Sequence, residues 1–257
     1  MWMKCVKKIV NNIAVIGSGV MGSQIAIHIA QSGFNVLLLD IADKGENKNN
    51  IVNTALKNAS NLRPSPLYSK KYLSRITTGN LDDDISKISE CDWIIEVVIE
   101  RLDIKHQVFE NIEKYRKPGT LISSNTSGIP IEMMLKGRSE NFQKNFCGTH
   151  FFNPPRYLQL VELIPTSKTD SEVISFLDDF IYKQLGKKTV ICKDTPAFIA
   201  NRIGVYSIFS LFQHTEKLGL TVEEVDKLTG TIIGRPKSAT YRTCDVVGLD
   251  TLTHVAN

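Results

Sequence analysis

The stretch NNIAVIGSGVMGSQIAIHIAQSGFNVLLLDI, residues 11–41, decides the fold. A short apolar run, Ile13–Ile16, leads into Gly17-x-Gly19-x-x-Gly22, and a helical pattern then closes at Gly33 as its C-cap. A second apolar run, Val36–Leu39, ends on an acid, Asp40. A bare G-x-G-x-x-G means little, because glycine-rich turns are common. Strand, turn, helix, strand and acid in that order form the dinucleotide-binding pattern. Gly17 allows the tight turn, Gly19 lets the backbone approach a pyrophosphate, and Gly22 lets helix and strand pack closely. Free N–H groups and the dipole at the helix start favour phosphate charge. Met21, inside the turn, is grouped with these glycines on the cofactor side. Asp40 accepts hydrogen bonds from an adenosine ribose, its charge repels a 2′-phosphate, and no arginine follows it, so NAD is expected rather than NADP. His28, within IAIHIA, reads as a satisfied helix residue.

Outward from this unit the alternation continues. Further strands are expected at Trp93–Val98, Leu121–Ser124, Phe146–Thr149, Leu158–Ile164 and Thr189–Cys192. Strands that read as continuous apolar runs between helices indicate a parallel sheet covered on both faces. The expected class is α/β, a Rossmann-type doubly wound, mostly parallel sheet over residues 1–193. From residue 194 the pattern turns helical. TPAFIANRIGVYSIFSLFQHTEKLGL, residues 195–220, is one long apolar-periodic stretch with Pro196 in its first turn. TVEEVDKLTG then reads as a short helix with Thr221 as N-cap and Glu224 completing a capping box. Residues 194–257 are thus expected to begin an all-α domain. GLDTLTHVAN, at the end, stops in what reads as the opening of another helix, so a piece of a longer chain is expected.

Composition narrows the function classes. The 257 residues are 42% hydrophobic and 23% charged, with 31 Lys and Arg against 27 Asp and Glu. The net charge of +4 is spread along the chain; that is too weak a field for nucleic acid, though it assists an anionic small molecule. Five isolated cysteines, Cys5, Cys91, Cys147, Cys192 and Cys244, include no C-x-x-C pair. Neither a zinc site nor a disulfide framework is suggested, and a reducing, cytoplasmic compartment is the natural reading. No metal site is expected. The start, MWMKCVKKIVNN, lacks the apolar core of a signal peptide, and no run approaches the roughly 18 apolar residues of a membrane helix. LDDD, residues 81–84, reads as a solvated turn.

A second stretch carries chemistry: GTHFFNPPRYLQLVELIPT, residues 148–166. Glu162 sits in an apolar run, where a carboxylate is costly unless paired. His150, at the end of one strand, and Glu162, on the next, could lie side by side. Imidazole titrates near neutral pH and suits proton transfer. On the residues alone, a satisfied core histidine is an equally open reading.

Taken together, VIGSGVMGSQIA, WIIEVVIERLDIKHQVF, SSNTSGIPI, GTHFFNPPRYLQLVELIPT, CKDTPAFIANR and DVVGLDT occur in an order that resembles the 3-hydroxyacyl-CoA dehydrogenase family over nearly the whole chain. The later stretches look most like the dehydrogenase portion of longer bacterial or archaeal fatty-acid oxidation proteins. The resemblance implies NAD-dependent oxidation of (S)-3-hydroxyacyl-CoA to 3-oxoacyl-CoA, a step of fatty-acid β-oxidation. It makes His150 the general base and Glu162 its orienting partner. Ser127 is placed near the substrate's 3-oxygen and the nicotinamide, and Asn201 on the substrate side of the same oxygen. Asn153 is implied as a cofactor contact, with Glu100 and Lys105 on the ribose and nicotinamide side. Without the resemblance, Ser127 is a loop serine, Asn153 a turn asparagine, Asn201 a helix residue, and Glu100 and Lys105 ordinary helix surface. Glu96 reads as structural. Coenzyme A contacts are implied somewhere in residues 53–76, where Lys57, Arg63, Lys70 and Lys71 read equally well as a solvated face. A homodimer is implied if further helices follow, or a longer multifunctional protein. Two rival readings are a sister dehydrogenase for a free hydroxy acid or sugar acid, and a non-catalytic NAD-binding fragment.

Overall fold

The computed structural model describes residues 9–249 of the chain. The first eight residues, read as lacking a signal peptide's apolar core, and the helix opening expected after residue 249 lie outside the described residues. Connectivity divides the chain between Thr195 and Pro196 into two compact units. In the first, the elements run β1 (Asn12–Ile16), α1 (Val20–Gln31), β2 (Asn35–Asp40), α2 (Asn50–Ser60), β3 (Ile76–Asn80), β4 (Trp93–Glu96) and α3 (Leu102–Tyr115). They continue β5 (Leu121–Ser124), α4 (Glu140–Lys144), β6 (Phe146–Phe151), β7 (Leu160–Pro165), α5 (Ser171–Leu185) and β8 (Lys188–Ile191). The strands form one sheet in the order β3-β2-β1-β4-β5-β6-β7-β8. Every adjacent pair is parallel except β6 and β7. The chain reverses its direction of growth at β1, between β2 and β4, where open α/β sheets bind their ligands.

The strand β3, ITTGN, was not expected from the sequence. Two threonines, a glycine and an asparagine carry little apolar signal, and the strand exists through its ladder with β2, Val36 opposite Ile76 to Asp40 opposite Asn80. An edge strand needs only one such partner. The other strands fall where apolar runs place them, with every end within two residues of its expected place. At the close of α1 the C-cap is Ser32, and Gly33 lies one residue beyond at φ 112°.

Alternate residues of the strands feed a core under α1 and α5. Ile25 and Ile29 from α1, and Leu177, Phe180 and Ile181 from α5, pack with Val15, Leu38, Trp93 and Ile95. Trp93 meets the Phe180 ring edge-on at 5.9 Å and donates its indole N–H to Ser123 at 3.0 Å. Phe109, Phe142 and Phe146 make a separate aromatic cluster, with centroids 5.2–5.8 Å apart. Cys91, Cys147, Cys192 and Cys244 are buried, and burial pushes Cys91 and Cys147 up to about 12. Cys91 and Cys147 are therefore inert as nucleophiles at neutral pH.

The second unit holds α6 (Ala200–Leu218), α7 (Val222–Thr229) and α8 (Tyr241–Val247). Pro196 does not open α6. Residues 196–199 form a turn in which Ala197 and Phe198 adopt positive φ, and the helix begins only at Ala200. The expected capping box at Thr221 and Glu224 is present on α7. Asp226 of α7 accepts the backbone N–H groups of Thr240, Tyr241 and Arg242 and so closes the start of α8. No helix among the described residues is long and apolar enough to cross a membrane.

Two glycines of the first turn have no alternative. Gly17 sits at φ 103°, and a Cβ there would fall 2.5 Å from the Val97 carbonyl oxygen. At Gly22 a Cβ would lie 1.8 Å from the carbonyl oxygen of Gly17. Gly22→Ala should therefore destabilise the first unit by about 3 kcal/mol or more, read by chemical denaturation. His28 provides a second test. It is buried on α1, its Nε2 donates to the Leu185 carbonyl at 3.0 Å, and its Nδ1 has no partner. Burial, with the nearby Lys187 charge second, lowers its pKa from 6.5 to about 4. Below pH 6.5 the unfolded chain takes up a proton that the folded chain refuses until about pH 4. This contribution is therefore complete above pH 6.5 and is lost as pH falls through that window. Between pH 7 and 5 unfolding free energy should drop by about 2 kcal/mol through this residue, and His28→Gln should remove that part of the slope.

Candidate active site

Only eight residues, 152–159, join β6 to β7. That is too short for the crossover a parallel neighbour requires, so β7 returns antiparallel. The resulting register sets His150 directly opposite Glu162. The Nδ1 of His150 lies 2.8 Å from Oε2 of Glu162, with the histidine 4% and the glutamate 0% exposed. An ionised carboxylate can only accept, so Nδ1 carries the proton and Nε2 presents its lone pair. The Ser127 hydroxyl stands 3.1 Å from that Nε2, in position to donate to it. The Phe152 ring leans on the imidazole at 4.5 Å. The arrangement can take a proton at Nε2 and share the resulting positive charge with Glu162.

Ser127 is placed by a second set of charges. β4 ends at the fully buried Glu96, whose Oε1 accepts from Lys105 Nζ at 2.7 Å and from the Val98 N–H at 2.7 Å. Its Oε2 accepts from the Ser124 hydroxyl at 2.5 Å. Lys105 Nζ also lies 3.4 Å from Oε2 of Glu100. The other oxygen of Glu100 collects the loop after β5: the Thr126 hydroxyl, and the N–H groups of Ser127, Gly128 and Ile129 at 3.0, 3.0 and 3.4 Å. Burial pushes the Glu96 carboxyl up, against the pull of Lys105. For Glu100 burial acts the same way, but the Lys105 charge and these donors outweigh it, and its pKa lies below the ordinary value. Lys105 is 1% exposed, so the reading of it as helix surface is wrong. The helix α3 turns this lysine inward because two carboxylates wait there.

The glycine turn is organised differently. A Cβ built on Gly19 meets nothing within 4 Å, and the start of α1 has neither a side-chain cap nor an acid in its first turn. Its N–H groups are therefore available to an anion. Asp40 Oδ2 accepts the Ser18 N–H at 2.6 Å and the Ser18 hydroxyl, while Oδ1 accepts the Ile41 N–H at 2.7 Å. The carboxylate thus ties the turn to the end of β2 and still has lone pairs for further donors. Met21 packs partly against the core beneath the turn. Ile41 and Ile99, just past the ends of β2 and β4 on either side of β1, are exposed apolar side chains. Asn153, in the loop after β6, accepts from the Gln24 side chain of α1 at 3.2 Å. Open backbone at Gly19, free helix-start donors and the acid Asp40 at the end of β2 fit NAD.

The first unit thus brings His150, Glu162, Ser127 and Glu100 into one connected group, and ties Asn153 to the helix of the glycine turn. Asn201 belongs to the helical unit, in the first turn of α6. Lys57, Arg63, Lys70 and Lys71 are all exposed. Sequence reading missed Thr126 and Gln24. Thr126 left no signal, but Gln24 did: it is a long amide in a helix whose neighbouring positions are mostly Ile and Ala.

Comparison with known proteins agrees with this geometry. A family model described as 3-hydroxyacyl-CoA dehydrogenase, NAD binding domain, matches residues 12–195. A probable 3-hydroxyacyl-CoA dehydrogenase of Bacillus subtilis is 49% identical, covering 97% of this chain and 34% of the relative. Another, of Deinococcus radiodurans, is also 49% identical, over 96% of this chain and 72% of the relative. The crystal structure of (S)-3-hydroxybutyryl-CoA dehydrogenase from Ralstonia eutropha superposes with a TM-score of 0.82 at 28% identity, covering 96% of this chain and 86% of that one. The chain spans about a third of the Bacillus protein's length. From the glycine turn to the paired His150 and Glu162, it belongs to the 3-hydroxyacyl-CoA dehydrogenase family and carries that family's NAD-binding domain.

Proposed function

We propose that the chain oxidises (S)-3-hydroxyacyl-CoA to 3-oxoacyl-CoA with NAD, and serves fatty-acid oxidation in the cytoplasm. The observation that carries this reading is the His150–Glu162 pair with its second ring nitrogen turned toward Ser127. NAD, when bound, supplies the hydride acceptor. His150 Nε2 takes the proton of the substrate's 3-hydroxyl, and in the reverse direction returns it. Glu162 keeps the tautomer that leaves Nε2 unprotonated, and then stabilises the imidazolium through Nδ1. Ser127 holds the reacting oxygen against the base, with Asn201 assigned to the substrate side of that oxygen. On the cofactor side stand Gly17, Gly19, Met21, Gly22, Asp40, Asn153, Glu100 and Lys105. In this reading Ile41 and Ile99 flank the adenine.

The chain's partner is an acyl-CoA, and its setting either a second copy or a longer polypeptide like the Bacillus relative. The deciding assay follows NADH oxidation with acetoacetyl-CoA against free acetoacetate. Turnover that requires the CoA moiety supports the proposal, and turnover of free acetoacetate alone replaces it with a sister dehydrogenase. In that assay His150→Ala should lower kcat by about 10²- to 10⁴-fold and leave NADH affinity nearly unchanged. Gly19→Ala should do the opposite. Its Cβ enters open space at φ −57°, so the fold keeps its melting temperature. The same methyl stands where the pyrophosphate must approach, so NADH binding should weaken by about tenfold or more.

A further inference from the structure

The loop of residues 152–159 between the dyad strands is held from three sides. Gln24 reaches Asn153. Arg156 Nη1 donates to the carbonyls of Ser65 at 2.5 Å and Leu67 at 2.8 Å, with its guanidinium 4.0 Å from the centre of the Tyr68 ring. The third hold comes from Lys187, immediately after the Gly186 cap of α5. Lys187 is 2% exposed, and its Nζ donates to the carbonyl oxygens of Pro155 and, at 2.9 Å, Leu158. Its own N–H is fixed on the Ile181 carbonyl at 3.2 Å.

Nothing in the reaction so far uses this lysine, and its placement is costly. Among the described residues no carboxylate pairs with it. A buried ammonium without a counter-charge destabilises a fold, and a methionine of similar length fills such space without that penalty. Burial accordingly lowers its pKa to about 8. What the ammonium does that a methyl group cannot is grip two carbonyls at once, one on each side of Arg156 and Tyr157. Pro155 is two residues from Asn153, and the intervening Pro154 ring restricts rotation between them. Movement of the Pro155 carbonyl therefore swings Asn153.

We propose that Lys187 is a positioning residue for the cofactor side of the site, clamping the β6–β7 loop from within so that Asn153 is presented to NAD. This rests on the reading of the chain as an NAD-dependent dehydrogenase with Asn153 at the cofactor. The test is NADH binding to the 257-residue chain without substrate, alongside kcat with acetoacetyl-CoA. Lys187→Met should weaken NADH binding by about tenfold or more, with kcat at saturating NADH changed by less than about threefold. Lys187→Arg, which keeps charge and donors, should recover most of the loss. In an Asn153→Ala background, Lys187→Met should add little, because both changes remove one interaction. The same fold-loss in both backgrounds, or wild-type affinity in Lys187→Met, overturns the proposal. Where Lys187→Met does not fold, Lys187→Gln carries the same comparison. A wild-type chain that binds no NADH overturns the dehydrogenase reading itself, and this inference with it.

Discussion

The antiparallel return of β7 beside β6 is the constraint on which the chemistry depends. A parallel neighbour is reached only through a crossover of about a dozen residues or more, usually helical. Eight linking residues force the strand to turn back, and the ladder then holds His150 against Glu162 by the same backbone hydrogen bonds that build the sheet. The burial of Glu162 follows from this, since its cost is met by a partner that the register supplies. The direction of the imidazole follows too. With Nδ1 committed to the carboxylate, Nε2 faces Ser127.

The sheet divides its labour along its width. The parallel half, with its reversal of strand order at β1, offers open backbone at Gly19 and the acid Asp40. The antiparallel margin offers the acid–base pair. Between them run the buried Glu96–Lys105 pair and, at its outer end, the more exposed Glu100. It holds the loop after β5, and that loop puts Ser127 beside His150. Losing Glu96 would take the nearer counter-charge from the buried Lys105 and leave only Glu100, so geometry and stability are tied together there.

Much of the architecture was legible in the sequence because two signals were strong. The glycine turn came with its strand, helix and acid, and the apolar runs marked strands whose two faces are both covered. Ladder-borne elements were harder. β3 has a polar sequence and exists through its neighbour, and the late start of α6 reflects positive φ at Ala197 and Phe198, which no periodicity encodes. At the site, Glu162 announced itself as an acid in an apolar run. Lys105 did not, because a lysine on an amphipathic helix looks like surface until two carboxylates are known to lie beneath it. Lys187 was silent for the same reason: its acceptors are main-chain oxygens, which are the same whatever the residue.

The placement of the dyad within paired strands also bears on how such a protein can diversify. Loops and helices laid over a sheet can be exchanged, lengthened or re-angled without disturbing the ladder beneath. A base and its carboxylate carried on loops would have to be re-tuned with every such change. In the proposed mechanism the proton-handling pair belongs to the scaffold, so new covering surfaces can select new hydroxyl-bearing molecules while the proton-transfer step stays as it was.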